Sequence, residues 1–246
     1  MRLDPNQVVA VVLAGGFGTR VAHLLPGIPK PMAPVAGKPF LEWVARYLAR
    51  QNIRNVVFST GHLSDVIEDY FRKEPVLGIE TRCVAETQPL GTAGGFLNAA
   101  QHASESPDAW LVLNGDSLVL TDLAPALKAM GDPEISGVVL GCVVEDAARY
   151  GTLAIDAHGE LTGFAEKRPG RGVINAGVYL LRDSLLAAMS GPLPLSFETD
   201  VFPRLLRQNA RIKVVEVQAP FLDIGTPDSL RQAELFVQQN RSKFEQ

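Results

Sequence analysis

Residues 8–20 read V-V-A-V-V-L-A-G-G-F-G-T-R, and residues 21–31 continue V-A-H-L-L-P-G-I-P-K-P. The run at 8–13 is apolar and β-branched with no polar alternation, the pattern of a parallel strand buried on both faces. It passes into Ala14, Gly15, Gly16, Phe17 and Gly18, a segment too rich in glycine for helix or sheet. Glycine accepts positive φ and lets successive N–H groups approach a ligand with no Cβ between them. Such a loop at the carboxyl end of a parallel strand is where α/β sheets hold phosphate groups. Arg20 adds a fixed positive charge and Lys30 a second, its backbone restricted by Pro29 and Pro31 on either side. A glycine nest with two cations suits a triphosphate. The loop is not a dinucleotide fingerprint, which needs glycine or alanine where Val21 stands. Nor is it a Walker loop, since the nearest match to its G-K-[ST] ending is Gly37-Lys38-Pro39.

Outward from this stretch, strands and helices alternate. Residues 38–50 have helical spacing of Phe40, Leu41, Val44, Tyr47 and Leu48. A strand is expected at 55–60, a helix at 62–73 with Leu63, Val66, Ile67, Tyr70 and Phe71 inward, and a strand at 79–85. A helix at 91–100 and a strand at 110–113 follow. This order implies a doubly wound, mixed but mainly parallel α/β sheet with its active groups at the strand ends. From residue 136 the pattern changes to short strands at 138–144, 153–155, 161–165 and 173–181. These predict a small β-rich lobe packed over the sheet's edge, suited to a second substrate. A helix at 196–207, a strand at 212–217 and a closing helix at 227–239 complete the chain. One domain is expected, with a nucleotide-binding core at 1–135 and a sugar-binding lobe with closing elements at 136–246.

Composition sets bounds. With 246 residues, 46% hydrophobic and 20% charged, the chain can bury one large core. A net charge of −4 argues against a nucleic-acid surface. Cys83 and Cys142 form no C-x-x-C and read as buried thiols of a reducing compartment. No apolar run is long enough to span a bilayer, and the N-terminus does not read as a signal peptide. The expected location is therefore the cytoplasm.

Two acids stand where chemistry is expected. Asp116 ends the 110–113 strand in N-G-D, and Asp223 lies in F-L-D-I-G-T-P. Mg²⁺ takes carboxylate and phosphate oxygens and keeps several waters, so two aspartates from different loops plus a phosphate suffice. Each aspartate alone could equally cap a following helix. No G-x-S-x-G is present, and His23, His62, His102 and His158 lack metal-ligand spacing.

L-A-G-G-F-G-T-R followed by P-K-P resembles the signature of the sugar nucleotidyltransferases, also called nucleotide-sugar pyrophosphorylases. These enzymes join a nucleoside triphosphate to a sugar 1-phosphate and release pyrophosphate, on a Rossmann-like core. The resemblance extends over almost the whole chain. It implies that Asp116 and Asp223 hold Mg²⁺, and that Arg20 and Lys30 are the catalytic cations on the phosphates. It implies a nucleotide site of Leu13, Ala14, Gly15, Gly16, Gly18, Thr19, Glu86, Gln88, Gly91 and Thr92. Here E-T-Q-P-L-G resembles the base-reading loop, with Glu86 or Gln88 as reader. F-A-E-K resembles the family's E-K-P motif, although Arg168 intervenes before Pro169, and N-A-G-V-Y matches its N-A-G-[IV]-Y. The sugar site so implied is Asn114, Glu166, Lys167, Asn175, Glu198 and Asp200, the last two from S-F-E-T-D. That acid pair equally suits a helix N-terminus. Within the family the motifs look most like D-glycero-α-D-manno-heptose-1-phosphate guanylyltransferases, then mannose-1-phosphate guanylyltransferases, with a uridylyl- or thymidylyltransferase as the remaining alternative. A non-catalytic, nucleotide-sugar-sensing subunit would be expected to lack Arg20, Lys30 or a metal aspartate, and all are present. The expected partners are a nucleoside triphosphate and a sugar 1-phosphate, with no nucleic acid and no membrane, and a homodimer as the candidate assembly. No hexapeptide-repeat tract is seen, so no acetyltransferase domain is expected.

Overall fold

The computed structural model describes residues 2–103, 107–165 and 169–245. Strand β1 (Val8–Ala14) sends Val8, Ala10 and Val12 to one face of the sheet and Val9 and Val11 to the other. All five are buried, which is why the run shows no polar alternation. A short hairpin of β2 (Pro34–Val35) and β3 (Lys38–Pro39) leads into α1 (Phe40–Arg50). Next come β4 (Asn55–Thr60), α2 (Ser64–Lys73), β5 (Glu80–Ala85), α3 (Thr92–Gln101) and β6 (Ala109–Asn114). Then follow β7 (Ser117–Val119), α4 (Ala124–Ala129), β8 (Ile135–Val144), β9 (Thr152–Ile155), β10 (Leu161–Ala165) and β11 (Gly172–Arg182). The chain ends through α5 (Phe202–Arg207), β12 (Arg211–Val217), β13 (Phe221–Asp223) and α6 (Pro227–Gln239).

β1 pairs in parallel with β4 on one side and β6 on the other. The reversal of winding there opens a crevice at the carboxyl ends of β1 and β6. β5 extends the sheet beyond β4. On the far side, β11 pairs antiparallel with β6, β8 pairs with β11, and β12 runs parallel to β8. The short strands of the second half therefore continue the same nine-stranded sheet, branching from it at β11. The reason lies in β6: Ala109 to Leu113 are buried, so the outer edge of this strand needs a backbone partner, and β11 supplies it.

Three local expectations shift. The helix expected from residue 38 begins at Phe40, because Lys38 pairs with Val35 and Pro39 keeps an extended backbone at the cap. The helix expected from residue 62 begins at Ser64, because Leu63 sits at φ 60 in the left-handed region, and only Ile67 and Phe71 of its apolar row are fully buried. The 196–207 helix opens as a π-helical turn at Phe197–Val201. The Val201 N–H bonds the Ser196 carbonyl, five residues back, and Pro203 has no N–H with which to continue an α ladder into that turn.

Candidate active site

The crevice is floored by the loop after β1 and the loop after β6, tied together by the Gly115 N–H donating to the Leu13 carbonyl at 2.8 Å. Leu13, Ala14, Gly15, Gly16, Phe17 and Gly18 line it, with Lys30, Pro31, Glu86, Pro89, Gly91, Thr92, Asn114 and Asp116. Gly18 stands at φ 58, and a Cβ there would lie 2.7 Å from Cβ of Lys30. Only glycine lets the lysine stem cross the loop so closely. Lys30 begins a single 3₁₀ turn after Pro29, and its side chain is 10% exposed. Its Nζ lies 2.5 Å from Oδ2 of Asp116, so a nearly buried ammonium has one carboxylate partner at the mouth of the crevice.

A second cleft adjoins the first and shares Asn114 and Asp116 with it. Arg20, Ser117, Arg149, Tyr150, Asn175, Ala176, Phe221 and Asp223 complete its lining. β7 and β13 pair with Ser117 opposite Asp223, and the Ile224 N–H donates to the Asp116 carbonyl at 2.9 Å. This ladder brings two sequence-distant aspartates into one cleft. Asp223 Oδ2 accepts from the Tyr150 hydroxyl at 2.6 Å and faces Nη2 of Arg149 at 3.6 Å, while Oδ1 accepts from the Gly225 N–H. Burial, then the bond to Asp223, pushes the Tyr150 phenol up to about 12, so at neutral pH it remains a donor. A Cβ at Gly225 would meet Asp223 Oδ1 at 2.7 Å, Arg20 Nη2 at 3.4 Å and Lys30 Nζ at 3.6 Å. Both cations and one carboxylate thus border the same small space. Helix capping does not account for these acids: Thr226, in a capping box with Ser229, caps α6, and a strand follows Asp116.

The 86–92 loop closes the first cleft. Glu86 Oε2 accepts from the Leu90 N–H at 3.1 Å and Oε1 from the Ser59 hydroxyl at 3.3 Å. Gly91, at φ 79, leaves room for the Leu195 backbone, whose carbonyl oxygen would lie 2.5 Å from a Cβ. The Leu195 N–H donates to the Leu90 carbonyl, and the Phe197 N–H donates to Oγ1 of Thr92. Gln88 is exposed and lines a neighbouring recess with Phe17 and His62, whose rings lie 5.7 Å apart. Thr19 is exposed and lines neither cleft.

Of the residues expected to bind sugar, Asn114 and Asn175 line the second cleft. Asn175 Oδ1 accepts from the Gly177 N–H at 3.0 Å, and Nδ2 donates to the Tyr179 hydroxyl at 2.8 Å. Glu198 and Asp200 line neither cleft. Glu198 Oε1 accepts from the Tyr179 hydroxyl at 2.8 Å and Oε2 from the Ser196 hydroxyl at 2.9 Å. Asp200 is used locally: its Oδ2 accepts from the Ser196 N–H and the Thr199 hydroxyl, bracing the π-helical turn. Glu166 and Lys167 lie outside the described residues. Sequence reasoning missed Phe17, Pro31 and Pro89 in the first cleft and Ser117, Arg149, Tyr150, Ala176 and Phe221 in the second. The signal available for the pair Arg149-Tyr150 was its place just before Gly151, in the turn that precedes the short strand at 153–155.

Comparison with known proteins gives the family. A family profile for nucleotidyl transferases matches residues 9–240. A D-glycero-alpha-D-manno-heptose 1-phosphate guanylyltransferase of Campylobacter jejuni is 33% identical over 230 residues, 89% of this chain and 95% of its own length. A mannose-1-phosphate guanylyltransferase of Mycobacterium tuberculosis is 34% identical over 91% of this chain, which spans 62% of that protein. The crystal structure of HddC from Yersinia pseudotuberculosis, complexed with GMP-PN, superposes with a TM-score of 0.81 at 32% identity, covering 92% of this chain and 97% of that one.

Proposed function

The chain belongs to the nucleotidyl transferase family, and from that premise we propose that it transfers the guanylyl group of GTP to D-glycero-α-D-manno-heptose 1-phosphate. The products are the GDP-sugar and pyrophosphate. Nucleotidyl transfer to a sugar 1-phosphate is the activity of the family members this chain resembles over nearly their whole length. The observation that carries the assignment of roles is the pair of adjoining clefts sharing Asn114 and Asp116. A nucleotide in the glycine-lined cleft and a sugar in the other would meet at that shared border, beside Lys30.

The reaction is attack of a sugar-phosphate oxygen on the α-phosphorus, with pyrophosphate leaving in line. It needs no covalent enzyme intermediate, so the protein's work is positioning and charge neutralisation. The loop 14–18 cradles phosphate oxygens through backbone N–H groups. Lys30 supplies a point charge to the transferring phosphate, and Arg20 a planar fork to the departing ones. Members of this family generally use a divalent metal, and we assign Mg²⁺ here. Asp116 and Asp223 fit it, being two hard oxygen donors in one cleft, Asp116 just before β7 and Asp223 on its partner β13, 39% and 21% exposed respectively. Among the described residues no third acidic, histidine or cysteine ligand joins them, so phosphate oxygens and water would complete the set. When bound, Mg²⁺ would neutralise developing charge on the phosphates. The side chain of Glu86, placed in the nucleotide cleft with lone pairs beyond those given to Leu90 and Ser59, accepts from the N1–H and N2–H₂ edge of guanine.

Residues 1–135 supply the nucleotide side and 136–246 most of the sugar side. Among the described residues no helix is long and apolar enough to cross a membrane, and we place the reaction in the cytoplasm, where its triphosphate substrate is made. The second reading, favoured by the mycobacterial relative, is mannose 1-phosphate as acceptor. The deciding experiment pairs GTP, UTP, dTTP and ATP with heptose, mannose, glucose and N-acetylglucosamine 1-phosphates and reads pyrophosphate release. GTP with the heptose 1-phosphate should give the highest kcat/KM. A preference for UTP or dTTP would overturn the guanine assignment, and a preference for mannose 1-phosphate would move the protein to the second reading.

A further inference from the structure

Asn175 occupies an unusual point in the sheet. The register of β11 against β8 breaks between Asn175 and Tyr179, and Gly177 between them has φ 69. At such a bulge the ladder alone does not hold a side chain in direction. The bond chain described above does so. Glu198 sits on the turn braced by Ser196, and the Tyr179 hydroxyl donates to its Oε1. The Tyr179 oxygen is then left to accept, and the group of Asn175 that faces it must be the amide nitrogen. On the other side, Asn175 Oδ1 takes the Gly177 N–H. Burial, then the charge of Glu198, holds the Tyr179 phenol well above its usual range, so the proton that sets the direction of the chain is always present.

We propose that Tyr179, oriented by Glu198, is a positioning residue that forbids the carboxamide of Asn175 to flip. It thereby presents one N–H and one oxygen lone pair of fixed handedness to the sugar in the second cleft. That donor–acceptor edge complements a hydroxyl pair on the sugar ring in one orientation only, and a flipped amide would present it reversed. Glu198 therefore serves the sugar through Tyr179 and Asn175 without touching it. This inference rests on the sugar 1-phosphate reading above.

The test is steady-state kinetics with GTP and the sugar 1-phosphate that the wild-type protein uses best. Tyr179→Phe should raise KM for the sugar phosphate by roughly five- to tenfold, the scale of one lost hydrogen bond, with KM for GTP unchanged. Glu198→Gln keeps the size but removes the forced polarity, and should raise the same KM by about threefold. This variant keeps the proposal testable if Tyr179→Phe fails to fold. In an Asn175→Ala background both substitutions should have no further effect on the sugar KM, since they act only through that amide. Effects that persist in that background, an unchanged sugar KM in Glu198→Gln, or an equal rise in KM for GTP would each overturn the proposal. A wild-type protein that turns over no sugar 1-phosphate would instead overturn the functional reading.

Discussion

The two clefts meet at Asp116 but are built by opposite means. The first is made largely of backbone: a glycine loop, the Gly91 turn and a few apolar walls, all on segments that end parallel strands. The second is made of side chains delivered by β11, β13, the 145–151 connection, the segment joining β6 to β7, and Arg20 beyond the glycine loop. A backbone site needs glycine, and glycine clusters are visible in sequence. A side-chain site needs only that distant residues be brought together, and the pairing of strands does that without leaving a local trace.

The sharpest way to break this comparison is to remove a carboxylate from the second cleft. Asp223→Asn should lower kcat by about a hundredfold or more, the scale of losing metal charge stabilisation, with little change in melting temperature. Asp116→Asn should match it in kcat but also lower the melting temperature, because it strips the nearly buried Lys30 of its partner. Near-wild-type turnover in either variant would leave the second cleft a structural feature. The corresponding lesion in the first cleft is conformational. Gly91→Ala forces a side chain into a positive-φ position against the Leu195 carbonyl and should cost about 2 kcal/mol in urea denaturation, together with a raised KM for GTP. Unaltered stability would mean that the loop relaxes freely and that its backbone does not define the site. Glu86→Gln probes the carboxylate on the 86–92 side of that cleft. The preference for GTP over UTP should shrink by about tenfold, mainly through weaker GTP use, as measured by competing substrates. The mildest expected change is Arg149→Ala, which should raise KM for the sugar phosphate about fivefold and leave that for GTP alone, in keeping with an exposed guanidinium. An effect on GTP alone would assign Arg149 to the nucleotide side.

Much of the frame was legible because its causes are local. The unbroken apolar run at 8–13 can only be a strand covered on both faces, and the Gly18 turn announces a close approach without naming Lys30 as the group approaching. Asp116 was readable as an acid ending a strand and Asp223 as one in a loop after the 212–217 strand, while their competing role as helix caps could be dismissed only once Thr226 was seen capping α6. What stayed hidden depends on register. Nothing near Tyr179 or Glu198 in the sequence says that the two meet, nor that Glu198 is spent on a phenol and Asp200 on its own turn. The left-handed Leu63 and the wide turn before Pro203 were likewise invisible to periodicity, which measures which side chains are apolar and not how the backbone enters a helix.

The β7–β13 ladder also has a meaning in time. On a ribosome the amino-terminal half emerges first, and β1, β4, β5 and β6 can pair among themselves while the rest is still being made. β11 must reach back to β6, β12 to β8, and last of all β13 to β7, contacts of long sequence separation that form slowly. Asp223 rides on that final strand. A nascent or truncated chain ending before residue 221 can carry the glycine nest, Lys30 and Asp116, yet it lacks the second carboxylate altogether.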